Sequence, residues 1–409
     1  MTDAVFFDDG KGLLAPLTDL RASFDLRTGA LTTLERLCKA LDLAPIALHV
    51  PTHLADVTRE RHAQPFAGAD KPPAVNSLPR SEEPRLFING RVTLPLDPIA
   101  MLEPGQAVIE SGSGHLIAGV MEPQEFRAWR ESGSENRGAV VAELPAPALL
   151  SRPWHIIHFR DACIDVDLEL LASQPTQDLP PAVLGIGEHP LTIAPTAVVY
   201  PGVTLDMENG PIVIAAHATI RPGATILGPA FIGEHATILE RALIKGHSSI
   251  GPWCKVSGEI GGSIFQAFSN KGHEGHLGDS YVGEWVNLGA ATTNSNLLNT
   301  YGEVIAKAPG AGNERTGLQF LGAIIGDHVK TAIGTRIMTG AILQTGGMFA
   351  QAAALSGTTP PFAWATDAGI KSFRFDKFLE TAAAMMSRRK LKPTAAYAEL
   401  LESLSKAGG

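Results

Sequence analysis

Ile214-Ala-Ala-His-Ala-Thr-Ile220-Arg-Pro-Gly-Ala-Thr-Ile226-Leu-Gly-Pro-Ala-Phe-Ile232-Gly-Glu-His-Ala-Thr-Ile238 opens a six-residue register that continues at Ile244, Ile250 and Val256. Four residues after each aliphatic comes a smaller or apolar partner: Ala218, Ala224, Ala230, Ala236, Ala242, Ser248, Cys254 and Ile260. A fixed period of this kind marks a solenoid, and six residues is the period of a parallel β-helix. Each hexapeptide is one short strand and a corner. The aliphatic side chain points inward and stacks on its counterparts in neighbouring coils, about 4.8 Å away. The small residue sits near the corner, where Arg221-Pro222-Gly223, Gly228-Pro229 and Gly251-Pro252 supply tight turns.

Outward from this stretch, the remaining 409-residue chain bounds the answer. Its length allows two or three domains, and 44% hydrophobic with 18% charged residues is a soluble, globular composition. The 42 glycines and 29 prolines suit a corner-rich fold. A net charge of −9 argues against nucleic acid or an anionic membrane as partner. Cys38, Cys163 and Cys254 have no paired spacing, and neither a basic apolar leader nor an apolar run of membrane-spanning length occurs. These features predict a cytoplasmic protein.

Residues 1–180 read as an α/β domain with a mostly parallel sheet. Strands are expected at Ala4–Asp8, Ile46–Val50, Arg85–Asn89, Ala107–Glu110 and His115–Val120. Thr32-x-x-Glu35 is a capping box that opens a helix, and Gln124–Glu131 reads as another. Residues 60–84 are polar and proline-bearing, hence a loop. The solenoid domain is placed at 181–350, with the period lost between Gly261 and Gly275 and again from Asn294 to about Leu318. Excursions from a rigid scaffold usually build binding surfaces. A tail at 351–409 carries helices over Phe373–Arg389 and Ala395–Leu404.

The first excursion ends in Lys271-Gly-His-Glu-Gly-His-Leu-Gly-Asp279, close in sequence to Asn287, Asn294 and Asn296. A neutral histidine is suited to take a proton from an attacking amine or hydroxyl, and amides can hold an oxyanion. Solvated loop histidines are the competing reading. From Gly272 to Asn296 the chain resembles the acetyltransferase half of bacterial bifunctional N-acetylglucosamine-1-phosphate uridyltransferase/glucosamine-1-phosphate N-acetyltransferase. That resemblance implies a left-handed parallel β-helix, a homotrimer and acetyl-CoA as co-substrate. It places the catalytic histidine on His273, substrate-binding asparagines on Asn287 and Asn296, and an acetyl-CoA contact on Ala290. His276 stands where that family carries a tyrosine, a departure in the amino-sugar pocket; His276 and Lys271 are the further substrate-binding candidates of this stretch. Arg388 and Arg389, at the end of a tail helix, are candidates for coenzyme A phosphates, against the plainer reading of a solvated cluster favoured by the helix dipole.

The N-terminal part is similar to sugar-phosphate nucleotidyltransferases fused to a β-helix. Gly10-Lys11-Gly12 and Pro16-Leu17-Thr18 match their phosphate loop, while its Thr-Arg pair is missing, and Arg21 or Arg27 is a candidate substitute. Arg91 follows Asn89-Gly90 where such enzymes often carry a magnesium carboxylate, and an arginine cannot ligate magnesium. Three function classes stand. The first is acyl-CoA-dependent transfer to an amino sugar, sugar phosphate or nucleotide-sugar, with no bound metal. The second is nucleotidyl transfer, forming a UDP or dTDP sugar, with the β-helix as scaffold. The third is a γ-carbonic-anhydrase-like metal lyase drawing on His247, His273, His276 and His328.

Overall fold

The computed structural model describes residues 1–66, 69–80, 82–132 and 139–407. The chain divides into two units. One comprises Met1–Gly12, Leu20–Leu26 and Leu31–Ser151; the other comprises Leu13–Asp19, Arg27–Ala30 and Arg152–Gly409. Residues 152–180, assigned above to the first domain, thus belong to the solenoid unit, and so do two short segments from the beginning of the chain.

The first unit holds β1 (Thr2–Phe7), α1 (Thr33–Ala40), β2 (Leu43–His49), α2 (Ala55–Arg61), β3 (Ala74–Val75), β4 (Arg85–Asn89), α3 (Asp97–Ala100), β5 (Gln106–Glu110), β6 (Leu116–Met121), α4 (Pro123–Ser132) and β7 (Ala139–Leu144). Their sheet runs β3-β2-β1-β4-β6-β5-β7. β6 is antiparallel to both β4 and β5, so the sheet is mixed rather than nearly all parallel. The capping box at α1 forms with both of its reciprocal hydrogen bonds. Residues 60–84, read as a loop, include the end of α2 and the short β3; residues 67, 68 and 81 of that stretch lie outside the described residues. The order reverses at β1, which pairs with β2 on one side and β4 on the other. A switch point of this kind opens a crevice at the carboxyl ends of the strands.

In the second unit α5 (His155–His158) and α6 (Arg160–Leu171) precede the coils. Short parallel strands then stack into three ladders. The first face carries Thr219–Ile220, Thr237–Ile238, Lys255–Val256 and Asn270–Lys271. The second carries Thr225–Leu227, Leu243–Ile244, Glu259–Gly261 and His276–Gly278. The third carries Ile212–Ile214, Ala230–Ile232, Ser248–Ile250 and Ile264–Phe265, then Tyr281–Val282 and two later strands. Ile220, Ile226, Ile232, Ile238, Ile244, Ile250 and Val256 are fully buried inside, and the small residues between them fill the corners. Full burial of one such side chain contributes about 1.5–3 kcal/mol.

Around Gly261 the six-residue spacing is indeed broken, but the ladders are not. Ile220 stacks on Ile238, eighteen residues on, whereas Ile250 stacks on Phe265 and Val256 on Lys271, fifteen residues on. The coil loses residues at two of its corners, between Val256 and Ile260 and between Ile260 and Phe265, and all three ladders continue. The second interruption is a true excursion, with Ile305–Ala306 and Glu314–Arg315 paired antiparallel outside the three faces. The tail helices are α7 (Phe375–Ser387) and α8 (Ala395–Ala407); Phe378 packs edge-on to Phe362, and the Tyr397 hydroxyl lies 2.8 Å from His328 Nε2. A hairpin of Ala363–Thr366 and Gly369–Ser372, not foreseen from the sequence, precedes them.

Candidate functional site

The residues of the Lys271–Asp279 stretch separate onto two corners. Residues 272–275 turn the chain from the first face to the second, and His273 is exposed on that turn. Its carbonyl, with those of Ser257 and Gly275, accepts a hydrogen bond from the Lys271 ammonium at 3.0, 3.2 and 2.8 Å. Lys271 is buried, which pulls its pKa down to about 8, and all three of its donor directions close this corner. Ala290 occupies the same corner one coil on, its carbonyl bonded by Gly334 N at 2.7 Å.

His276 lies on the second face and lines a pocket of about 270 Å³ at the next corner. Arg160, Lys245, His247, Asp279 and Asn296 line it too. His276 Nδ1 is 3.4 Å from Glu259 Oε1, and Lys245 Nζ is 2.5 Å from that oxygen. The Lys245 hydrogen bond holds the Glu259 carboxyl below the usual carboxylate range. Asn296 donates to Asp279 Oδ2 at 2.7 Å, and Arg160 meets Asp279 Oδ1 at 2.6 Å. Burial opposes the Arg160 charge, but Asp161 and Asp279 outweigh it and raise its pKa. Gly278 makes the approach possible: a Cβ there would stand 2.7 Å from both His276 Nε2 and Asn296 Nδ2. The arrangement is an imidazole with a carboxylate behind it, facing a polar hollow between two cations.

His276 and Asn296 therefore come together, while His273 and Ala290 share a different corner. Asn287 bridges Asn270 and Lys330 along the first face. Arg389 donates to the Asn270 side chain at 3.2 Å, and Arg388 is exposed. Among the four histidines of the metal-lyase reading, His247 joins His276 in the pocket and His328 is buried against the tail. Among the described residues, the group of three or more ligand-type side chains close enough for a metal is a different one, His217, Glu234 and His235. Glu259, one coil from His276, Lys245, two coils away, and Arg160, on a helix, are separated from it in sequence, and only the fold brings them together. Coil arithmetic at eighteen residues would have set Gly258 beside His276; the shortened coil brings Glu259 there instead.

In the first unit, the loop Asp8–Gly12 and Arg91 meet at the carboxyl ends of β1 and β4. The Arg91 guanidinium is wholly buried and grips Asp9 through two bonds of 2.8 and 2.7 Å. Asn89 donates to the same carboxylate at 2.9 Å, and Lys11 N does so at 3.0 Å. Burial would raise the Asp9 pKa, but Arg91 outweighs it and the net direction is down. His115 Nδ1 lies 3.1 Å from Arg91; burial, then the charges of Arg91 and Lys11, depress its pKa. Lys11 is exposed at this site, whereas Arg21 is buried in the core.

Residues 4–176 match the family model of sugar nucleotidyl transferases. No curated protein matches the chain. Among solved structures, it is similar to a hexapeptide transferase family protein from Anaplasma phagocytophilum, with 14% identity over 56% of this chain and 99% of that one, at a TM-score of 0.21. It is similar also to UDP-N-acetylglucosamine acyltransferase from Campylobacter jejuni (18% identity, 53% and 94% covered, TM-score 0.21). A third likeness is to PerB from Caulobacter crescentus, solved with CoA and GDP-perosamine (15% identity, 66% and 98% covered, TM-score 0.14). At these scores the likenesses carry no argument, and the reading rests on the chain's own residues. Among the described residues no helix is long and apolar enough to cross a membrane.

Proposed function

We propose that this protein transfers an acyl group from a thioester such as acetyl-CoA to an amine or hydroxyl of a sugar, sugar phosphate or nucleotide-sugar, in the pocket around His276. The observation that carries it is the His276–Glu259 contact at the pocket wall. Glu259 holds the Nδ1–H tautomer, which leaves the Nε2 lone pair for the acceptor. As the acceptor attacks the thioester carbonyl, Nε2 takes its proton. The C–S bond then breaks, and the same proton passes to the departing thiolate. Lys245 and Arg160, each paired with carboxylates, keep further N–H donors for sugar hydroxyl or phosphate oxygens, and Asn296, held by Asp279, orients the sugar. A left-handed coil and a trimer, as the resemblance implies, belong to this reading.

The test is thiol release from acetyl-CoA against a panel of amino sugars, sugar phosphates and nucleotide-sugars. His276→Ala should lower turnover by about 10²–10⁴-fold without lowering the melting temperature. His273→Ala is the contrasting arm. If it abolishes turnover while His276→Ala leaves it intact, the base lies on the other corner. No turnover of any acceptor by the wild type would sink acyl transfer itself.

A second reading is carried by the family match over residues 4–176. The crevice at β1 and β4 binds a nucleotide or nucleotide-sugar, with the Lys11 side chain and the Gly12 amide toward the phosphates, while the Gly10 amide is held by Asp8. Because Arg91 already neutralises Asp9, this site turns over poorly as a magnesium-dependent pyrophosphorylase. Robust pyrophosphate release from a sugar-1-phosphate and any nucleoside triphosphate would contradict that.

A further inference from the structure

The corner between the third and first faces is built unlike the other two. Its file of turning residues is His217, His235, Trp253, Phe268 and Trp285, each in the left-handed backbone region at φ between 56° and 60°. Bulky residues there cost strain that glycine would avoid. Their rings stack along the file: His217 on His235 at 4.7 Å, His235 on Trp253 at 4.1 Å, Phe268 on Trp285 at 4.4 Å. Ring stacking accounts for the aromatic part of the file. It does not account for an acid beside the two imidazoles.

That acid is Glu234. Its Oε1 lies 3.5 Å from His235 Nε2, and one ligand atom from each of His217, Glu234 and His235 falls within 4.8 Å of the others. Two imidazoles and a carboxylate are a donor set suited to zinc and its neighbours, and three protein ligands leave a position for water or a small anion. Ligand atoms around tetrahedral zinc stand roughly 3.3 Å apart, given bonds of about 2.0–2.1 Å. The two rings now lie nearly parallel, at 13°, so each must rotate about its own side-chain bonds to aim a lone pair at one point. His217 and Glu234 are exposed and His235 is half-buried, so the rotation gives up ring stacking on His235 and Trp253 but meets no buried packing.

We propose that His217, Glu234 and His235 bind one divalent transition-metal ion of the zinc class, clamping two successive coils at this corner. The site lies on a different corner from the His276 pocket and involves none of its residues. Trp253, stacked on His235, is a built-in reporter: a bound paramagnetic ion quenches a neighbouring indole.

The experiment uses chelator-treated full-length protein, calorimetric titration with Zn²⁺, and tryptophan fluorescence during titration with Cu²⁺. Wild type should bind a single Zn²⁺ per chain, melt at higher temperature with zinc present, and lose Trp253 emission with Cu²⁺, a loss absent in Trp253→Phe. His217→Ala and Glu234→Gln should each weaken binding by more than about tenfold, since removing a ligand costs at least what disturbing a supporting group does. Glu234→Gln, a near-isosteric exposed change, keeps the test valid if His217→Ala folds badly. His276→Ala should bind zinc as wild type does. Wild-type binding no tighter than that of Glu234→Gln, or binding lost in His276→Ala but retained in His217→Ala, overturns the proposal.

Discussion

His276 has its significance from two neighbours, Glu259 behind it and Gly278 beside it. The missing side chain at Gly278 leaves room that His276 Nε2 and Asn296 Nδ2 both use. Gly278→Ala should therefore push two flexible side-chain ends aside, cutting acyl transfer by at least about tenfold while the melting temperature changes little. Loss of the fold together with activity would show that the backbone, not the pocket, needs the glycine. In the other unit, burial draws the His49 pKa down to about 4, with the charges of Arg130 and Arg127 adding to it. The unfolded chain takes up that proton near pH 6.5, well before the folded one. His49 thus contributes stability above pH 6.5 that is lost as the pH falls toward 4. The melting midpoint of His49→Gln should fall less between pH 7 and 5 than that of wild type.

The coil is the element that repeats, and its interior is filled by one aliphatic residue per face. Ile238 is fully buried between Ile220 and Val256. Ile238→Ala should cost about 2–5 kcal/mol, read from chemical denaturation, because the stacked neighbours cannot close the gap. A cost below 1 kcal/mol would mean that the interior is not the rigid stack described. At the corner after Lys271 the stabilising element is polar. Lys271→Met keeps the stem but takes the ammonium from three carbonyls, of which Gly275 O keeps the Glu259 amide, and should destabilise by about 1–3 kcal/mol.

Across the whole molecule, the solenoid unit incorporates two pieces from the start of the chain. Arg27 N and Nε bond the Gln266 side chain and carbonyl at 2.8 and 3.1 Å, Ser249 Oγ donates to Gly29 O at 2.7 Å, and Thr345 Oγ1 donates to Asp19 Oδ2 at 2.7 Å. A fragment starting at Arg152 leaves Gln266, Ser249 and Thr345 without these partners. It should be less stable than the full chain or insoluble; a fragment melting at the full chain's temperature would show that the borrowed segments contribute nothing. The trimer expected from the resemblance has a candidate surface in the exposed Tyr301, Ile305, Phe320, Ile333 and Met338. Sedimentation should then give three times the 43.2 kDa chain mass, and a monomer at micromolar concentration would rule the trimer out.

The parallel ladders were legible from Ile214 onward because a strand that buries one side in a stacked coil must repeat its aliphatic residue at each face. The capping box at Thr32 and Glu35, the strand Arg85–Asn89 and both tail helices were legible for equally local reasons. The α6 helix was missed, since it packs on the solenoid with no marked apolar stripe to betray it. The shortened coil after Gly261 was also invisible, because corners can lose residues and keep their ladders only if the strands on either side hold the register. Proximity in sequence grouped His273 with His276, yet a corner stands between them and sends them to different surfaces. Glu259 reaches His276 from a neighbouring coil, and Arg160 reaches Asp279 from a helix. Sequence determined what each coil must bury; only stacking one coil on another decided which polar side chains meet outside it.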